Sequence, residues 1–125
     1  MIDVERQVAY WRESAQEDMA VGHDLIVRQK PRHGLFFVHL ALEKALKALV
    51  CRVTGDTPPK IHNLVRLSEL AHVCPTPHQM DTLADMNVFN LEGRYPETLP
   101  SPPTQAEVRE LLARAEEVFR WLTNR

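Results

Sequence analysis

The hydrophobic positions of this chain recur at helical spacing and stop at small clusters of proline and glycine. Val4, Val8, Trp11, Ala15, Met19, Gly22 and Ile26 follow one another at intervals of three and four, which puts them on one face of a helix. Asp3 stands where an N-cap belongs, and Glu5 suits the positive end of the helix dipole. Gly22 within that face allows another helix to come close. A second, more apolar stretch runs from about Gly34 to Thr54, with Gly55 as a natural stop. On a helical wheel Leu35, Val38, Ala41, Leu42, Ala45, Leu46, Leu49 and Val53 cover more than half the circumference, the pattern of a mostly buried helix. Asn63 can cap a short helix carrying Leu64, Leu67, Leu70 and Ala71. Thr76 with Gln79 and Thr104 with Glu107 read as capping boxes, the first followed by Pro77 at the first helical position. The fourth helix then carries Met80, Leu83, Ala84, Val88 and Leu91, and the last carries Val108, Leu111, Leu112, Ala115, Val118 and Leu122.

These patterns predict helices near residues 4–28, 33–54, 63–73, 77–92 and 104–123, with no sheet. The predicted breaks are Pro31 with Gly34, Gly55 with Pro58 and Pro59, Pro75 with Pro77, and Gly93 through Pro103. Short connections between such helices imply an all-α, up-and-down bundle of four to five helices. A length of 125 residues fits one domain over 1–125.

Composition narrows the function. Hydrophobic residues make up 44%, enough for a packed interior, while the formal net charge of −2 supplies no overall field for nucleic acid. RNA binding would rest on a local patch. No apolar run reaches the length of a membrane span, and the charges from residue 3 onward are not those of a signal peptide. Cys51 and Cys74 form no ligand framework and point to a reducing compartment, so the expected location is the cytoplasm. His72, Cys74 and His78 are close in sequence but straddle Pro75 and Pro77 and lack a fourth ligand; no metal is expected. The four glycines are scattered singly, so no phosphate-cradling loop exists, and no cofactor is expected.

The chemistry sits on the second helix. His39, Glu43 and Lys47 recur every four residues in its remaining sector, with Lys44 at the margin and Phe36, Leu40 and Val50 interspersed. A polar ladder edged by large apolar groups suits a groove or a protein interface. It equally suits a structural i,i+4 pair of Glu43 and Lys47, worth about 0.3 kcal/mol on an exposed helix. His62 immediately precedes the third helix and Arg94 follows the fourth, at helix ends where amides and charged side chains can meet a phosphate. Lys44, Lys47 and Lys60 could add positive charge. The structural alternative has His62 and Arg94 stapling loops to carbonyls or to Glu43, with Tyr95-Pro96 as a turn anchor. The candidate ligand-binding set is therefore His39, Glu43, Lys44, Lys47, Lys60, His62, Arg94 and Tyr95. Trp11 and Trp121 lie on apolar faces and read as core. A mixed stripe on the most buried helix also points to a two-fold homodimer that hides it.

Several runs together resemble the HEPN family (higher eukaryotes and prokaryotes nucleotide-binding). Ala41-Leu42-Glu43-Lys44-Ala45-Leu46-Lys47-Ala48-Leu49 is similar to the family signature AxEKxLKAL. Pro59-Lys60-Ile61-His62-Asn63-Leu64 resembles its PxxHDL or PxxHNL element, Arg94-Tyr95-Pro96 its RYP element, and Trp11-x3-Ala15-x2-Asp18-Met19 its first-helix pattern. The resemblance implies a four- or five-helix up-and-down bundle. It also implies one of three roles: the partner of a minimal nucleotidyltransferase in a toxin–antitoxin-like pair, a metal-independent endoribonuclease using an Arg-x4-6-His motif, or a binder of nucleotides. The ribonuclease pattern fits this sequence poorly, because no histidine follows Arg94. Literal matches elsewhere are Arg28-x4-His33, across the Pro31 break, and Arg66-x5-His72, on the short third helix; the second is the weak catalytic alternative. The expected role is a non-catalytic, nucleotide- or RNA-associated partner of such a nucleotidyltransferase. The alternatives are the endoribonuclease and a pure protein-interaction scaffold.

Overall fold

The computed structural model describes residues 2–92 and 103–125. Among them the regular structure is entirely helical: α1 Val4–Val27, α2 Pro31–Thr54, α3 Leu64–Leu70, α4 Pro77–Met86, α5 Val88–Glu92 and α6 Gln105–Thr123. No described helix is long and apolar enough to cross a membrane.

Local chemistry sets most of these boundaries. Asp3 Oδ1 accepts the Arg6 amide at 3.1 Å and starts α1. Thr76 and Thr104 each accept the amide three residues on while Gln79 and Glu107 return to the cap amides, so both capping boxes are closed. The two amide and hydroxyl donors of Thr104 hold the Glu107 carboxyl below its ordinary range, the backbone bond contributing most. Gly55, at φ 69°, ends α2 in the left-handed region that glycine enters without a Cβ penalty.

Two boundaries differ from expectation, for one reason. Gln29 and His72 both take positive φ, at 61° and 56°. After α1, Lys30 N donates to Leu25 O and Gln29 N to Ile26 O; after α3, Val73 N donates to Ser68 O and His72 N to Glu69 O. These are Schellman closures built on non-glycine residues. They stop α3 at Leu70, short of the expected residue 73. They also turn the chain so tightly after α1 that Lys30 serves as N-cap and Pro31 as first residue of α2. Pro31 and Gly34 are therefore not a break: Gly34 lies inside the helix, buried. The expected fourth helix is in turn divided at Asn87 into α4 and α5.

The three-residue connection makes α1 and α2 an antiparallel pair. Where they cross, Gly22 and Gly34 meet backbone to backbone. A Cβ on Gly22 would lie 2.9 Å from Gly34 O, and one on Gly34 only 2.5 Å from an Ile26 side-chain carbon. The helix α2 also packs against α3, α5 and α6, so it is the axis of the bundle. Leu35, Val38, Leu42, Ala45, Leu46 and Leu49 are all buried in the core, as the wheel requires, with Leu64, Leu67, Leu83, Leu112 and Leu122 closing around them. Only Val53 of the expected face is exposed. The helix α6 is tied at its C-terminus and at its middle: Arg12 Nη2 donates to Thr123 O at 2.7 Å, and Arg114 reaches Thr82 and Asp85 of α4.

Candidate functional site

From Ala41 to Cys51, α2 is covered on every side except at Lys44, so its polar residues lie inside the protein. His39, Glu43 and Lys47 are 2%, 4% and 6% exposed. Four-residue spacing stacks them along one edge of the helix, and each meets a different neighbour. Lys47 Nζ donates to Glu43 Oε2 at 3.0 Å and sits 5.7 Å from the Trp11 ring centroid on α1, so an aromatic face shields the cation. His62, in the loop before α3, brings Nδ1 to 3.0 Å from Glu43 Oε1 and 3.1 Å from Oε2. The Glu43 carboxylate is thus gripped from two sides. A buried carboxylate requires such partners, since an unpaired charge at this depth would cost several kcal/mol, on the order of 3–5.

His39 lies one turn before Glu43, its Nδ1 3.9 Å from Oε1. Burial pushes its imidazole down to about 4, against the Glu43 carboxylate, which pulls it upward. It is neutral at physiological pH. Its Nε2 has no hydrogen-bond partner among the described residues.

Lys44 stands apart from this cluster. Its Nζ faces α1, 2.7 Å from Asp18 Oδ2 and 2.7 Å from Ser14 Oγ. Lys44 thereby locks the α1–α2 pair. Sequence reasoning placed it in a ligand set and missed Asp18 as its partner, although Asp18 lies in the Trp11-x3-Ala15-x2-Asp18 run. Lys60 is exposed in the α2–α3 loop. Arg94 and Tyr95 lie outside the described residues.

Asn87, which nothing in the sequence singled out, organises the floor of the site. Its Oδ1 accepts the Leu64 amide at 2.8 Å, and its Nδ2 donates to Asn63 Oδ1 at 3.2 Å, while Asn63 Oδ1 also accepts the Arg66 amide. The first amides of α3 are therefore satisfied by asparagines. Two of the amides that could meet a phosphate at this helix end, those of Leu64 and Arg66, are thus engaged within the protein.

No hydrogen bond joins Arg66 and His72, the weak catalytic pair, among the described residues. Arg66 Nη1 is 2.9 Å from Glu69 Oε2, an exposed ion pair, and His72 is turned into the left-handed closure beyond α3. In the other literal match, Arg28 caps α1 and His33 lies in the first turn of α2, not in a loop. His72, Cys74 and His78 are not gathered into a group of metal ligands among the described residues. Cys51 is buried, and that burial raises its thiol, with Asp56 adding to the effect. Trp11 and Trp121 are half-buried against the core, and Arg125 covers Trp121 at 5.1 Å.

The polar core of the mixed stripe, His39, Glu43 and Lys47, is thus buried within this chain, with Trp11 over Lys47 and His62 against Glu43. Phe36, Leu40 and Lys44, at the edges of the same stripe, are half-buried.

A helical bundle whose axial helix carries a buried charged cluster is the class that these features define. The HEPN domain family model matches residues 8–125, and the chain belongs to that family. Two solved structures share the fold. TT1696 from Thermus thermophilus superposes with a TM-score of 0.77 at 19% identity, over 94% of this chain and 97% of that one. ST0689, an archaeal HEPN homologue, gives 0.71 at 18% identity, over 99% and 98%. Among curated proteins none matches.

Proposed function

We propose that this HEPN-domain protein is a nucleotide- or RNA-associated binding module and the non-catalytic partner of a minimal nucleotidyltransferase, in a toxin–antitoxin-like pair acting in the cytoplasm, and that it works as a homodimer. One observation supports the binding role above the others. The charged cluster of α2 is closed except at His62, whose side chain is 49% exposed while its Nδ1 rests on buried Glu43. A cluster built only to hold the fold has no need of a polar group carried to the surface. The opposite arrangement of Arg66 and His72, one in an ion pair and the other in a helix stop, weighs against the endoribonuclease reading.

The partnership is tested by co-expression with a minimal nucleotidyltransferase encoded beside it, recognised by a Gly-Ser followed by paired aspartates. The expected result is a stable complex through two purification steps, with this protein contributing two copies by light scattering. A neighbour that never co-purifies, at concentrations of about ten micromolar where an ordinary complex persists, would refute the partnership.

A further inference from the structure

We infer that the Glu43–His62 couple is a recognition site for a phosphate monoester, in which His62 Nε2 touches the phosphate, Lys60 supplies a second charge and Glu43 is the positioning residue. The inference rests on the reading of the domain as nucleotide- or RNA-associated, and gives that reading a chemical class.

The geometry carries it in three steps. First, both Glu43 oxygens lie within 3.1 Å of His62 Nδ1, which fixes the ring and makes Nδ1 the donor to the carboxylate. Nε2, on the opposite edge of the ring, is then aimed away from Glu43, on a side chain that is half exposed, and no hydrogen bond engages it among the described residues. Second, the charge of Glu43 is already met by Lys47 at 3.0 Å. A protonated His62 would therefore add uncompensated positive charge at the surface, as does exposed Lys60 two residues earlier in the same loop, for which no ion pair exists among the described residues. His39, the other titratable group beside His62, is buried and neutral and contributes no competing charge. Third, Lys44 is consumed by Asp18, and the Leu64 and Arg66 amides of α3 by Asn87 and Asn63, so the side-chain donors left for an anion are Lys60 and the imidazolium form of His62. Lys60 and a His62 that takes up a proton on binding match a phosphate monoester dianion better than a diester monoanion, and hydrogen bonds between ionised groups are about twice as strong as neutral ones. Inorganic phosphate, a mononucleotide and a 5′-phosphorylated RNA end share this chemistry.

The test is nitrogen-15 NMR of the imidazoles in the full chain. In the neutral ring His62 should carry its proton on Nδ1, and inorganic phosphate, by binding the imidazolium form, should move its Nε2 resonance saturably toward that of a protonated nitrogen. AMP and a 5′-phosphorylated trinucleotide should do the same, whereas the 5′-hydroxyl trinucleotide should not; AMP or the trinucleotide acting at lower concentration than phosphate identifies the source. Glu43→Gln should lose the fixed tautomer and weaken phosphate about tenfold, which is about 1.4 kcal/mol. Because that change strikes a buried residue, Lys60→Gln on the surface provides the second variant: several-fold weaker phosphate with the tautomer retained. A proton on Nε2, no saturable shift, or equal shifts from 5′-hydroxyl and 5′-phosphate trinucleotides would overturn the site. Wild-type protein that captures the nucleotidyltransferase while its Nε2 ignores phosphate overturns the site and leaves the partnership standing.

Discussion

A histidine sealed at 2% exposure must either shed its proton or pay to bury a charge, and His39 sheds it. The unfolded chain titrates this imidazole near 6.5, whereas burial in the folded state keeps it neutral down to about 4. Above 6.5 neither state binds the proton and the full stability is present. As the pH falls from 6.5 to about 4, the unfolded chain accepts a proton that the folded chain refuses, so stability drains through that window. The loss from this residue is roughly 3 kcal/mol, at about 1.36 kcal/mol per unit. Urea midpoints measured between pH 7 and pH 4 should fall for the wild type and fall clearly less for His39→Leu; parallel declines would show that His39 is not the cause. At this scale the sequence was partly legible. The four-residue ladder correctly joined His39, Glu43 and Lys47, and the stapling of His62 to Glu43 was foreseen as one of two readings. Asn87 was not, because an asparagine inside a helical pattern looks the same whether it caps a distant helix or faces water.

Among the elements, the α1–α2 pair depends on two glycines that no other residue can replace without movement. A methyl at Gly22 would meet Val38 at 2.8 Å and the Gly34 carbonyl at 2.9 Å. Backbone cannot retreat as a side-chain tip can, so Gly22→Ala should destabilise by roughly 1–3 kcal/mol, and Gly34→Ala by a similar amount. Gly55→Ala meets nothing within 4 Å but must hold φ 69°, at a cost of about 1–2 kcal/mol. The double change Gly22→Ala with Gly34→Ala should cost no more than the sum of the two, because one shift of the helices relieves both. Thermal or urea unfolding decides it; a neutral Gly22→Ala would show that the helices cross elsewhere. The helix starts at Asp3, Asn63, Thr76 and Thr104 were readable from sequence because a side-chain cap is a local event, complete within four residues. The stop at His72 and the start of α2 directly behind Gln29 were not, because left-handed closures on ordinary side chains carry no compositional mark, and only the packing of the following segment makes the strain worthwhile.

For the whole molecule, a net charge of −2 and the proposed site at His62 and Lys60 suit the binding of one anionic group rather than the tracking of a nucleic-acid backbone. Under the proposed function, the purified protein should leave single-stranded RNA intact in EDTA, and His72→Ala should change nothing. Cleavage leaving 2′,3′-cyclic phosphate ends, and lost in Arg66→Ala or His72→Ala, would return the endoribonuclease reading to first place. The proposed homodimer is a separate matter: with Lys47 buried inside the chain, Lys47→Met should leave the mass by light scattering unchanged, whereas dissociation would place Lys47 at the interface.

The sequence by itself determined the helices, most of their caps, the buried face of α2 and, through its motifs, the family. Each of these is written in residues that lie within a few turns of one another, where spacing translates directly into geometry. Tertiary structure alone decided which polar groups on α2 are ligands of the protein and which face outward. Lys44 and Lys47 are three residues apart on one helix and look alike in sequence. One meets Asp18 and the other meets Glu43 beneath Trp11, because the crossing at Gly22 and Gly34 sets which residue of α1 lies opposite each. His62 gained its orientation the same way: its partner is nineteen residues back along the chain, and a loop's return to a helix is fixed by packing, which no local spacing records.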